Sequence, residues 1–136
     1  MKKKSGDRDY FDMEQEDYLE VIYQLEKQEG VARISDVAKA LDVKKPSVSQ
    51  MAERLKKKGY VSYEPYRSMR LTVRGHAIAL RIFTCRQALG DFFTVLGIPK
   101  QVQKHDIHGM EHYLSPVTLK KLQTLTKFLK DKKHSF

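Results

Sequence analysis

Cysteine is nearly missing from this sequence: it occurs once, at Cys85. A lone thiol excludes an internal disulfide and suits a reducing compartment, the cytoplasm, and it reads first as a small buried apolar residue. Long apolar runs are missing as well. No stretch approaches the roughly eighteen residues of a membrane-spanning helix. Residues 1–9 carry charge with no apolar segment behind them, so a secretory leader is not expected. There is no internal repeat and no low-complexity tract, and acidic residues are the minority, 17 against 26 Lys and Arg.

What is present is a 136-residue chain, 40% hydrophobic and 32% charged. That is enough for one compact domain, or for two small helical units sharing a core. The net charge of +9 points to a polyanionic partner, because each cation placed on a phosphate releases condensed counterions. Charge alone is weak support, so position has to decide.

The spacing predicts a first helix from Asp12 to about Gln28, with Asp12 and Gln15 as a capping box and Gly30 at the stop. Leu19, Ile22, Tyr23 and Leu25 form its apolar stripe. Asp17 and Glu20, three apart, read by themselves as a solvated acidic edge. Ser35 is the expected N-cap of a short helix over Asp36 to Leu41. After the turn Asp42-Val43-Lys44, Pro46 fits the first turn of another helix. That helix carries Val48, Met51, Ala52 and Leu55 inward and ends at Lys56-Lys57-Lys58-Gly59. Two alternating segments, 60–64 and 69–73, read as a two-stranded wing joined by a turn at 65–68. A long helix from His76 to Leu96 is broken by Gly97-Ile98-Pro99. Two more helices follow, from about Pro99 to Leu114 and, after the cap Ser115 and Pro116, from Val117 to Leu129. Lys130 to Phe136 reads as a frayed basic tail.

The expected fold is therefore mainly α: a winged helix-turn-helix with a two-stranded β wing in residues 1–75, then a helical dimerisation domain in residues 76–136. The second helix of such a pair enters the major groove of duplex DNA. Ser47, Ser49 and Gln50 carry short groups that donate to and accept from base edges. Lys44, Lys45 and Arg54 suit phosphates, which set register. Arg67 at the wing tip and Arg70 would reach the adjacent backbone or minor groove.

A second constellation lies at His108-Gly109-Met110-Glu111-His112. On a helix, positions i, i+3 and i+4 share a side, so His108, Glu111 and His112 can converge on one cation. Two imidazoles and a carboxylate suit Mn, Fe, Co or Zn better than calcium.

Both halves together resemble the DtxR/MntR family of metal-dependent repressors, and most closely its MntR branch. The resemblance runs from about Glu16 to Leu114. It is carried by residues 16–23 (EDYLEVIY), 32–38 (ARISDVA), 63–67 (YEPYR), 71–75 (LTVRG) and 109–115 (GMEHYLS). It implies a homodimer on an operator. It also implies that Asp17 and Glu20 join Glu111 and His112 as metal ligands, which gives the acidic edge a purpose. Two positions depart from the pattern: Arg86 stands where the MntR branch has a histidine ligand, and His108 stands where it has a glutamate. Arg86 cannot ligate. It is expected to neutralise Asp17, Glu20 or Glu111 in place of one metal of a two-metal site, leaving one ion per subunit. Imidazole for carboxylate at His108 shifts preference from Mn toward Zn, Co or Fe.

Metal held by all five residues would clamp the helix-turn-helix to a dimer core, favouring one spacing of the two recognition helices. Divalent-metal uptake genes are the targets the resemblance implies. The longer family members carry a further C-terminal module, for which no room is expected here. The alternatives are a winged-helix regulator in which Arg86 has displaced metal sensing, and one that senses an organic ligand or redox state through the aromatic-rich C-terminal helices or Cys85. A third, in another class, is a small zinc hydrolase with Glu111 as general base of an H-x-x-E-H signature. The chain is short for a protease scaffold.

Overall fold

The computed structural model describes residues 10–64 and 68–132, so Arg67 and the rest of the expected wing tip at 65–67 lie outside the described residues. The elements in order are α1 (Tyr10–Glu29), β1 (Ala32–Arg33), α2 (Ile34–Leu41), α3 (Lys45–Lys57), β2 (Val61–Tyr63), β3 (Ser68–Leu71), α4 (Val73–Val95), α5 (Lys100–Met110) and α6 (Pro116–Asp131). Two compact units divide inside α4, between Arg81 and Ile82.

The first unit is built on the apolar stripe of α1. Tyr18, Leu19, Ile22 and Tyr23 are buried, with Val37 and Ala38 of α2 and Val48, Met51, Ala52 and Leu55 of α3. The β2–β3 hairpin pairs antiparallel, Val61 with Leu71 and Tyr63 with Met69. Sequence periodicity missed a third strand: β1 pairs with β3, Ala32 opposite Met69, so the sheet order is β1-β3-β2. Two residues are too few to show an alternation. Ala32, Tyr63 and Met69 share the buried face of the sheet.

Several boundaries differ from expectation. Helix α1 is described from Tyr10, so Asp12 lies within its span rather than ahead of it. Ser35 is likewise inside α2. The N-cap is Arg33, held extended by its pairing in the sheet, and no side chain caps it. Helix α4 begins at Val73 rather than His76, so Val73 leaves the strand. Thr72 explains this start: its Oγ1 accepts the Gly75 N–H at 3.2 Å and donates to the Gly59 carbonyl at 2.6 Å. Gly75 itself must lack a side chain, because a Cβ there would run into the Tyr60 carbonyl.

Side-chain ties close the seams of this unit. The Lys58 ammonium donates to Gln15 Oε1 at 2.8 Å, and the Leu71 N–H donates to Glu26 Oε1 at 2.6 Å. Arg81 pairs with the buried Glu16 carboxylate at 3.1 Å.

In the second unit Gly97, at φ +77, ends α4. Cys85, Leu89, Phe93 and Ile107 form a small core, with Phe92, Leu96, Ile98, Leu114, Leu119 and Leu122 packed on it. Buried Gln103 fastens the bend, donating through Nε2 to the Ile98 carbonyl at 2.7 Å and to Thr94 Oγ1 at 3.2 Å. Ser115 caps α6 as expected, accepting from the Thr118 N–H at 3.2 Å. The helix runs past Leu129 to Asp131, so Lys130 belongs to its last turn and not to a frayed tail. Residues 133–136 of that expected tail lie outside the described residues. No described helix is long and apolar enough to cross a membrane.

Candidate nucleic-acid interface and candidate metal centre

Helix α3 has the shape expected of a recognition helix. Pro46 sits in its first turn, and Val48, Met51, Ala52 and Leu55 anchor its inner side. Its far end is fixed twice, by the Lys58–Gln15 bond and by Arg74, which donates to the Lys58 carbonyl at 3.1 Å. The outer side is thus presented by a rigid support. Lys44, Lys45, Ser47, Gln50 and Arg54 are exposed there. Ser49 is half-buried, because it lies nearer the inner side than the spacing alone suggested. Arg70 is exposed on β3, opposite Ser62.

Between α2, α3 and the hairpin runs a groove of about 1020 Å3. Lys45, Ser49 and Gln50 line it, together with three residues the sequence reading missed: Arg33, Ser35 and Glu53. For Glu53 a signal was available. Pro46, Ser49, Gln50 and Glu53 follow the i, i+3, i+4, i+7 spacing of one helical stripe. Arg33 had none, since its place in the groove depends on β1.

The metal-ligand candidates fall into two groups. On α1, Glu20 is buried and accepts from Gln24 Nε2 at 3.1 Å, while Asp17 is half-buried. Neither is the solvated acidic edge that spacing suggested. In the second unit α5 stops at Met110, so Glu111 and His112 lie in the turn beyond it. The backbone is still helical at Glu111, whose N–H donates to the Ile107 carbonyl at 3.1 Å. The turn tightens at this point: the His112 N–H donates to the Gly109 carbonyl and the Tyr113 N–H to that of Met110. Glu111 and His112 are driven inward, 1% and 0% exposed, whereas His108 stays exposed in the last turn of α5.

The donor atoms His112 Nε2 and Glu111 Oε1 are 3.6 Å apart. Arg86, on α4, grips the same carboxylate with both arms, Nε to Oε2 at 2.7 Å and Nη2 to Oε1 at 3.1 Å. Of its three expected partners, the carboxylate that Arg86 takes within this unit is Glu111. Arg86, His108 and Glu111 line one groove of about 510 Å3. An imidazole beside a buried carboxylate fits a borderline divalent cation, and the guanidinium offers that carboxylate a competing positive charge.

Comparison with known proteins agrees with both halves. Residues 11–69 match the family described as "Iron dependent repressor, N-terminal DNA binding domain". Residues 72–135 match "Iron dependent repressor, metal binding and dimerisation domain". The HTH-type transcriptional regulator MntR of Shouchella clausii is 36% identical over 116 residues, covering 85% of this chain and 81% of that protein. The regulator of the same name from Bacillus subtilis is 35% identical, covering 85% and 82%. Among solved structures, the metal-dependent transcriptional regulator MtsR superposes with a TM-score of 0.73 at 24% identity, over 84% of this chain and 54% of that one. T. acidophilum IdeR gives 0.70 at 24%, over 83% and 53%. The chain spans about half the length of these two solved structures, and the likeness to them is one of fold.

Proposed function

We propose how this chain, which belongs to the DtxR/MntR family of metal-dependent transcriptional regulators, couples a divalent cation to an operator. It is a DNA-binding regulator rather than an enzyme, with duplex DNA and a second copy of itself as partners and a divalent transition metal as cofactor. In the proposed arrangement Asp17 and Glu20 from α1, with His108, Glu111 and His112 from the second unit, hold one ion per subunit. When bound, the ion supplies a positive charge that several donors share. Asp17 and Glu20 belong to the body that presents α3, so committing them to the same ligand as Glu111 and His112 restrains that body against the dimer core. Restraint favours the spacing at which two recognition helices meet successive major grooves, about 34 Å apart. Lys44, Lys45 and Arg54 then engage phosphates, Arg67 and Arg70 the flanking backbone or minor groove, and Ser47, Ser49 and Gln50 the base edges.

The observation that carries this reading is the burial of Glu111 and His112 side by side. An imidazole nitrogen and a carboxylate oxygen 3.6 Å apart are placed as two donors to one borderline divalent cation would be, next to the guanidinium that already holds the carboxylate. With His108 and His112 as imidazole donors, Zn, Co or Fe(II) is favoured over Mn. Divalent-metal uptake genes, acted on in the cytoplasm, are the proposed targets.

The test is a titration of chelator-treated protein with Mn(II), Fe(II), Co(II) and Zn(II) while following binding to a labelled promoter fragment, repeated with His112→Ala. One ion should tighten binding in the parent and fail to do so in the variant. A second reading has one observation in its favour, the two-armed hold of Arg86 on Glu111. In that reading the guanidinium stands permanently in place of the metal, the regulator answers to another signal or none, and DNA binds equally well with chelator present.

A further inference from the structure

Glu53 sits where a carboxylate works against its surroundings. It is exposed on α3 and lines the groove with Lys45, Ser49, Gln50 and Arg33. Each of those neighbours can meet DNA, whose backbone carries one negative charge per about 1.7 Å of duplex. A carboxylate there lowers affinity for every sequence alike unless the DNA offers it a hydrogen-bond donor. Phosphates and sugars of a DNA duplex offer none. In the major groove the donors are amino groups of bases, cytosine N4 and adenine N6.

Nor is Glu53 held by its own chain. Lys57, four residues on in the last turn of α3, stands at the spacing and in the orientation that favour a helical ion pair. Among the described residues no cation or donor is bonded to this side chain.

We propose that Glu53 is a specificity-determining residue that accepts a hydrogen bond from a cytosine N4 amino group in each half of the operator. Cytosine is preferred to adenine because adenine places an acceptor, N7, beside its amino group, and N7 repels the second carboxylate oxygen. Lys45 and Arg33, cations lining the same groove, take the flanking phosphates and hold the acidic side chain against the base edge. The inference rests on α3 being the element that reads the major groove.

The experiment is selection from a random-sequence duplex library at fixed salt, with Zn(II) or Mn(II) present, using the full chain and its E53Q variant. The wild type should enrich a two-fold motif with C·G at one position of each half-site. E53Q should shift that position to A·T, because a glutamine amide bonds adenine N6 and N7 together. The ratio between the two bases should change by about 5- to 150-fold, the equivalent of one good base contact. If E53Q enriches the wild-type motif unchanged, even while binding all DNA more tightly, Glu53 only charges the surface and the proposal is wrong. If the wild type enriches no motif at all, α3 reads no bases, and the assignment of α3 falls together with that of Glu53.

Discussion

The two units of this chain reach stability by different means. The first closes its seams with directional bonds between elements far apart in sequence: Lys58 to Gln15, the Leu71 N–H to Glu26, Thr72 to Gly59. Most of its apolar side chains are inside, the exposed ones being Val43, Val73 and Leu80, and the outer face of α3 is polar and basic. The second has a core of a few side chains around Leu89 and Phe93 and leaves Val102, Val117, Leu125 and Phe128 exposed. Phe128 is 52% exposed and Val117 71%, apolar surface that a lone unit of this size has no reason to show. The residues that match a dimerisation domain are thus those whose burial is incomplete in one protomer. The half matched to DNA binding is largely closed within itself, whereas the half matched to dimerisation, Val73 and Leu80 included, leaves apolar surface for a second copy.

The sharpest way to break this comparison is at Gly75. Gly75→Ala forces a Cβ into the Tyr60 backbone, which cannot swing aside, and is expected to destabilise the first unit by about 3 kcal/mol or more. Urea denaturation followed by circular dichroism reads the loss. A variant that melts like the parent would mean that the start of α4 is not packed as described.

Next in size is Arg86→Met. It leaves the Glu111 carboxylate, 1% exposed, without its guanidinium. Breaking a buried pair costs roughly 3–5 kcal/mol, and with Arg86 itself 37% exposed about 2 kcal/mol is expected in chelator-treated protein. Added Zn(II) should recover part of that loss, since a ligand bound only by the folded form stabilises it. Arg86→His, by restoring an imidazole, should double the metal bound per subunit, measured by elemental analysis after gel filtration. Unchanged stoichiometry would show that Arg86 does not take the place of a second ion.

Cap removal tests each unit separately. Thr72→Ala should cost about 1–2 kcal/mol and Ser115→Ala about 1 kcal/mol. The Ser115 effect should shrink as protein concentration rises if dimerisation holds α6 in place, whereas the Thr72 effect should not. Equal concentration dependence in both would erase the distinction between the units.

The smallest effect on stability is expected at Lys45→Ala, within about 0.5 kcal/mol for an exposed side chain. Its signature lies in DNA binding: affinity should fall for all sequences, and the salt dependence should lose about one phosphate contact. A change in the preferred sequence with no change in salt slope would move Lys45 from phosphate to base.

How far the sequence could be read depended on the range of the interactions. Pro46, Ser115-Pro116 and Gly97 act within one turn of chain, and the ends of α3, α4 and α6 near them came out as expected. Asp12 and Ser35 misled because cap residues are equally at home inside a first turn, and sheet pairing at Arg33 decided where α2 begins. The candidate ligands were legible as residue types. Their burial was not: helical spacing says nothing of depth, and His108 is exposed while Glu111 and His112 are buried.

By itself, then, the sequence determined the order of the helices and the hairpin, the basic face of α3 and the chemistry of the donors, because periodicity, capping and charge are local properties of a chain. Tertiary structure alone decided that a third strand joins the wing, that Glu53 and Arg33 share a groove with Ser49 and Gln50, and that Arg86 closes on Glu111. Each of these joins residues separated along the chain, and which distant groups meet is set by how the helices pack.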